Sequence, residues 1–269
     1  FLLTVSFFFF SHLLSCSLQT MSVQVAGCER SAVQVLALIE KAVRGKKDQQ
    51  VVQVDFPNGE LKSEDVREKI HLWYNAEVMN LDRLFIKFDG GNKELIHRKI
   101  SDACEAYNRN WFSASNVICM VGNNEWLPDV GAWHPWPSYA ERSKPIKNFC
   151  IPPDLWIEVF YNRDPDRENA LQKVDSVQHD LDGILVIEFV GIALPDATGP
   201  YQANPNPGAV SRLATATGQS ARPYLAPYLI HWRLNYTPEY YNITWNRHIV
   251  LRSGFTIDFN IILDVISHV

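Results

Sequence analysis

The chain has 269 residues, 46% of them hydrophobic and 20% charged, a globular composition that excludes wholesale disorder. Its 25 basic and 30 acidic side chains give a net charge of -5, so no general basic surface advertises a nucleic-acid partner. Any contact with DNA must then rest on a local site and a bound cation.

Residues 1–20 contain no Lys, Arg, Asp or Glu and are rich in Phe. They lack the basic start of a signal peptide, and Ser6, Ser11, His12, Ser15 and Ser17 interrupt any span of the roughly 20 apolar residues a membrane needs. Two readings stand: translated sequence upstream of a start at Met21, or a truncated signal peptide. The five cysteines are odd in number and form no C-x-x-C pair, which argues against a zinc ribbon or a disulfide framework. Isolated thiols fit an intracellular protein, cytoplasmic or nuclear, with no membrane partner; secretion through residues 1–20 is the alternative.

Apolar positions in 31–43 recur at helical spacing. VVQVDF (51–56) predicts a strand closed by Pro57-Asn58-Gly59. Ser63 opens a helix with Val66, Ile70 and Trp73 on its apolar face, and LFIKFDGG (84–91) predicts a strand ending in a Gly-Gly turn. A helix follows over about 94–107. NVICMV (116–121) and WLPDVGAW (126–133) read as two adjacent strands. After a Pro- and Trp-rich connection, IPPDLWIEVF (151–160) predicts a strand, because its prolines forbid helix and its apolar residues alternate. Residues 167–181 predict a helix and ILVIEFVGIAL (184–194) a strand buried on both faces, so the three form a right-handed βαβ crossover.

The expected fold class is α/β, divided into an N-terminal extension (21–60), an α/β domain (61–195), a linker rich in Pro, Gly, Ala, Ser and Thr (196–223) and a C-terminal appendage (224–269). Within the domain, Asp129 and Glu158 each interrupt an apolar strand. A carboxylate there is costly to bury unless it is paired or bound to a cation. Two of them on neighbouring strands make an oxygen site suited to Mg²⁺ or Mn²⁺. Lys173, on the helix after the Glu158 strand, is placed to fold back toward both acids. The plainer alternative for each residue is a solvated surface charge, weakened for Glu158 because Trp156 and Phe160 share its face.

These segments resemble the restriction-endonuclease domain family within the PD-(D/E)XK nuclease superfamily. The resemblance rests on ELIHRKISDACEAY (94–107), WLPDVGAW and IPPDLWIEVF, followed by a lysine-bearing helix and a final strand. It implies a restriction-endonuclease-like fold, a mixed central sheet flanked by helices, with a metal site at Asp129 and Glu158 and a catalytic lysine. The superfamily carries that lysine two residues after the glutamate, where this chain has Phe160, so the role maps to Lys173. His97 matches a helix histidine that contacts metal-bound water or phosphate, or holds a structural hydrogen bond. Asp154 reads as a turn or cap residue. The resemblance implies a Mg²⁺-dependent endonuclease acting on DNA, with a homodimer as an option. The alternative is an interaction or DNA-binding module that keeps the fold without cleavage. Residues 21–195, with 20 basic against 26 acidic side chains, lean toward that alternative. A glycosidase using both carboxylates is a third, weaker option.

Overall fold

A computed structural model describes residues 31–46, 51–142, 151–162, 166–181, 187–195, 228–233, 238–243, 245 and 247–267. The upstream or signal-like segment 1–20, the linker 196–223, Cys16, Cys28 and Cys150 lie outside the described residues. Cys104 and Cys119 are buried free thiols. No helix among the described residues is long and apolar enough to cross a membrane.

Two sheets meet in this fold. The first is antiparallel and contains β1 (Val51–Asp55), β2 (Ala76–Met79), β3 (Arg83–Lys87), β5 (Cys119–Val121) and β6 (Asn124–Trp126), in the order β1-β3-β2-β6-β5. Helices α1 (Ala32–Val43) and α2 (Glu64–Trp73) cover it, closing a core of Val35, Ile39, Val54, Leu61, Ile70 and Leu84. Strand β1 therefore ties part of 21–60 to the elements that follow. The turn before α2 uses Gly59 in the left-handed region (φ 79°), a conformation natural to glycine.

The second sheet is the mixed one expected of the fold class. It contains β4 (Phe112–Ser115), β7 (Val130–Trp133), β8 (Leu155–Tyr161), β9 (Glu188–Leu194), β10 (Tyr228–Arg233) and β11 (Glu239–Asn242), in the order β11-β10-β9-β8-β7-β4. Strands β8 and β9 are parallel and joined through α6 (Asp166–Asp180), as the βαβ reading requires. The other pairs are antiparallel. Alternation along β8 sends Leu155, Ile157 and Val159 to one core and Trp156 and Phe160 to the other. Helix α3 (Gly91–Asp102) packs on the first face with Ile96 and Ile100, and α6 on the second with Val174 and Val177. Short helices α4 (Cys104–Tyr107) and α5 (Tyr139–Arg142) follow α3 and β7.

The described part of 224–269 continues this sheet rather than standing apart from it. Strand β10 pairs with β9 from Tyr228↔Ala193 to Arg233↔Glu188. A small hairpin, β12 (His248–Val250) with β13 (Thr256–Asp258), leads into α7 (Phe259–Ser267), whose Phe259 and Ile262 enter the α3 core.

One expected strand divides in two. Residues 124–126 form β6 in the first sheet, whereas 130–133 form β7 in the second. Between them, Leu127-Pro128 breaks the ladder, because proline has no N–H to donate. Gly131 then gives Trp133 room to fold over the strand. A Cβ at 131 would stand 2.7 Å from Cη2 of the Trp133 ring. Gly131→Ala is expected to cost about 1–3 kcal/mol from overpacking, read as a lower urea midpoint at unchanged slope.

Candidate metal and catalytic site

The crossing at Pro128 delivers Asp129 to the end of β7. Extending the β7–β8 register, Val130↔Ile157 and Gly131↔Trp156, sets Asp129 opposite Glu158. Both carboxylates are buried, with relative exposures of 2% and 1%. Lys87 Nζ, at the end of β3, lies 2.5 Å from Asp129 Oδ1 and 3.6 Å from Glu158 Oε2, so a single ammonium bridges the two acids. Asp129 Oδ2 accepts the Val159 N–H at 2.7 Å. Trp156 Nε1–H donates to Glu158 Oε1 at 2.8 Å.

Lys173 reaches the same point from α6. Its Nζ is 2.7 Å from Glu158 Oε1 and 2.6 Å from Glu77 Oε1, and it donates to the carbonyl of Leu127. The ammonium also lies 5.8 Å from the centre of the Trp156 ring. On the opposite side, α3 places His97 Nε2 3.5 Å from Asp129 Oδ2. The structure thus brings together all four expected residues, Asp129, Glu158, Lys173 and His97. Asp154, at the start of β8, instead accepts the His134 N–H at 2.7 Å, which serves the turn.

Several members of the cluster went unseen in the sequence. Lys87 and Asp89 come from the end of β3 and the turn after it. Lys93, fully buried on α3, contacts Asp89 Oδ1 at 2.7 Å and Asp166 Oδ1 at 3.2 Å. Helical spacing could have found it, because positions 93, 96, 97 and 100 share one face and all four are buried. Linked by these ion pairs are five carboxylates (Glu77, Asp89, Asp129, Glu158, Asp166) and three ammonium groups (Lys87, Lys93, Lys173). Fully ionised, they carry an excess of two negative charges.

The electrostatics of the cluster are uneven. Burial and the neighbouring charge of Asp129 push Glu158 up to about 7, against the pull of Lys173 and Lys87. Asp129 is itself buried, yet Lys87, followed by the other cations, holds it well below the usual carboxylate range. Burial drives His97 down to about 4, so its imidazole is neutral at pH 7.

These shifts set the acid response. The unfolded chain takes up a proton at His97 near pH 6.5, but the folded chain resists it until about 4, so His97 removes stability as pH falls through that window. Glu158 acts in the other direction, because the folded state gains its proton first, between about 7 and 4.5. Replacing His97 with Gln deletes the first contribution and leaves the second. Thermal unfolding should therefore show the melting temperature of His97→Gln, relative to wild type, rising from pH 7.5 to pH 5. Parallel profiles for the two proteins would reject a buried neutral imidazole.

Glu158 lies on the wall of a cleft of about 230 Å³, lined also by Glu77, Phe85, Lys87, Asn169 and Lys173. Such a volume admits a phosphate and part of its attached sugar rather than a whole drug-sized ligand.

No family model matches the chain, and no curated protein matches it. Among solved structures, one similar chain is described as "a putative nuclease belonging to DUF820" from Anabaena variabilis. The two are 11% identical, with a TM-score of 0.42, and the similarity covers 71% of this chain and 90% of that one.

Proposed function

We propose that the protein is a metal-dependent nuclease that hydrolyses DNA phosphodiester bonds. The observation that carries this reading is the placement of Asp129 and Glu158 opposite one another and buried, with Glu158, Lys87 and Lys173 on the wall of a cleft. The donor set fits a divalent cation in two respects. Both acids supply hard oxygen ligands, and Glu158 Oε2 has no hydrogen-bond partner among the described residues. The surrounding network also lacks two positive charges.

Asp129 and Glu158 would hold Mg²⁺ or Mn²⁺, which polarises a phosphoryl oxygen and makes water more acidic. Lys173, anchored by Glu77 and the Leu127 carbonyl, would stabilise the negative charge that develops on the phosphate. Lys87 bridges the two acids and would have to leave that position for them to hold a cation. Its side chain is 21% exposed, which lets it turn into the cleft and neutralise a substrate phosphate. Trp156 and the backbone of Val159 fix the orientation of both carboxylates. Hydrolysis adds water across the P–O bond and leaves one phosphorylated end and one hydroxyl end.

One observation favours the non-catalytic reading: Lys87 already bridges the two acids and supplies part of the charge a metal would bring. A plasmid-nicking assay decides between them. Nuclease function predicts cleavage that needs Mg²⁺ or Mn²⁺, stops with chelator and fails in Asp129→Asn. No nicking with either metal supports the binding module. Cleavage that survives Asp129→Asn rejects the site.

A further inference from the structure

A second cavity, of about 360 Å³, shares Lys87 with the cleft at Glu158. Its wall includes His71, Trp73, Asn75 and Glu94. We propose that this cavity holds one unpaired base of a DNA strand, stacked on Trp73 with its amino edge toward His71 and Glu94. The proposal deepens the nuclease reading and rests on it for the course of the strand, whose phosphate meets Lys87.

Trp73 is the first observation. Helical spacing puts it with Val66 and Ile70, yet those two are buried and Trp73 is 74% exposed. It is the last residue of α2, and Tyr74 after it is already extended, so the indole stays outside the core. A free aromatic face of this kind is worth about 1–3 kcal/mol to a stacked base. The backbone fixes its place relative to the candidate site. Lys87 N–H donates to the Asn75 carbonyl at 3.0 Å, and the two residues from Trp73 to Asn75 span at most about 7 Å. The indole is therefore within reach of a nucleotide next to one whose phosphate lies at Lys87.

The polar groups of the wall select the edge of the base. His71 Nε2 lies 2.8 Å from Glu125 Oε2, which accepts its proton, so the neutral ring leaves Nδ1 as an acceptor. The His71 side chain is 5% exposed, and Nδ1 has no hydrogen-bond partner among the described residues. A buried acceptor left so is uncommon and calls for a donor. Glu94 accepts from Asn75 at 3.0 Å and from Asn116 at 3.1 Å, and each of its oxygens keeps a second lone pair. An imidazole acceptor and a carboxylate match the amino groups of cytosine, adenine or guanine, whereas thymine has none. Glu94 also disfavours a phosphate in the cavity, so the uncharged base enters while Lys87 takes the phosphate. A base paired in a duplex hides its face and its pairing edge, so the ligand is a single strand or an extruded base.

Anisotropy of short fluorescein-labelled single strands and of a duplex, titrated with the full chain in chelator, tests this, with circular dichroism to verify folding. Wild type should prefer single strands to duplex and oligodeoxycytidine to oligodeoxythymidine. Trp73→Ala should weaken single-strand binding about tenfold or more, and Trp73→Phe should keep most of it. Glu94→Gln should lose the preference for oligodeoxycytidine. The proposal is overturned if wild type binds single strands no better than duplex, if Trp73→Ala binds as wild type does, or if Glu94→Gln keeps the full preference. It is also overturned if no oligonucleotide binds and Trp73→Ala turns a dimer into a monomer on sedimentation, which assigns the indole to a contact between copies. Chelator excludes cleavage, so binding is read apart from nicking. Base binding by a protein that never nicks DNA would reject the nuclease reading alone. Metal-dependent nicking, with Trp73→Ala binding single strands as wild type does, would reject this site alone.

Discussion

Glu158→Gln is expected to lower metal-dependent nicking about a thousandfold while leaving the protein folded and no less stable at pH 8. The two halves of this expectation come from the same carboxylate. If Glu158 helps hold the cation as proposed, losing it removes about 4 kcal/mol of transition-state stabilisation, and each 1.36 kcal/mol is a factor of ten in rate. Stability moves differently. Burial and Asp129 push Glu158 up to about 7, so its ionised form is costly in the fold above that pH. The amide keeps the shape and an oxygen to accept from Trp156. Lys173 is not stranded by the change, because Glu77 remains 2.6 Å away. Single-turnover nicking and urea denaturation of the same preparation check both halves. Equal losses of activity and stability would mean that Glu158 serves the fold and not the chemistry.

The difference between what was and was not legible in the sequence follows from how each residue declares itself. Asp129 and Glu158 interrupt strands that are otherwise apolar, so their context alone marks them. Lys173 could be placed because a βαβ unit must return its helix over the sheet. Lys87 and Asp89 carry no such mark. They end a strand whose alternate residues Leu84 and Ile86 are buried, and Arg83, Phe85 and Lys87 look like its solvent side. That side becomes a wall of the cleft only when the first sheet meets the second. The meeting was hidden inside WLPDVGAW, which reads as one strand and is the crossing between two sheets. The composition of 196–223 suggested an end to the domain, yet β10 resumes pairing with β9 beyond it. Composition reports local order, while strand partners are set by the long-range burial of β9 on both faces.

Lys93 offers the largest expected loss of stability. Its side chain is completely buried, and its ammonium lies between Asp89 and Asp166. Asp166 Oδ2 also accepts the Tyr161 N–H at 2.7 Å, so this ion pair locks α3 to the junction of β8 and α6. Replacing Lys93 with Met keeps much of the volume and removes the charge. Two buried carboxylates then lose the cation they share, with Lys87 still 3.5 Å from Asp89, in a cluster whose excess rises from two negative charges to three. Breaking a buried pair by deleting one partner costs about 3–5 kcal/mol, a large part of the 5–15 kcal/mol that keeps a domain folded. Lys93→Met should lower the urea midpoint accordingly. Adding Asp166→Asn should recover part of the loss, because the second change removes one of the stranded charges and keeps an oxygen for Tyr161. A double-mutant cycle measures that coupling. Additive losses would show that Lys93 acts by filling space and that its charge contributes nothing to joining α3 with the strand that carries Glu158.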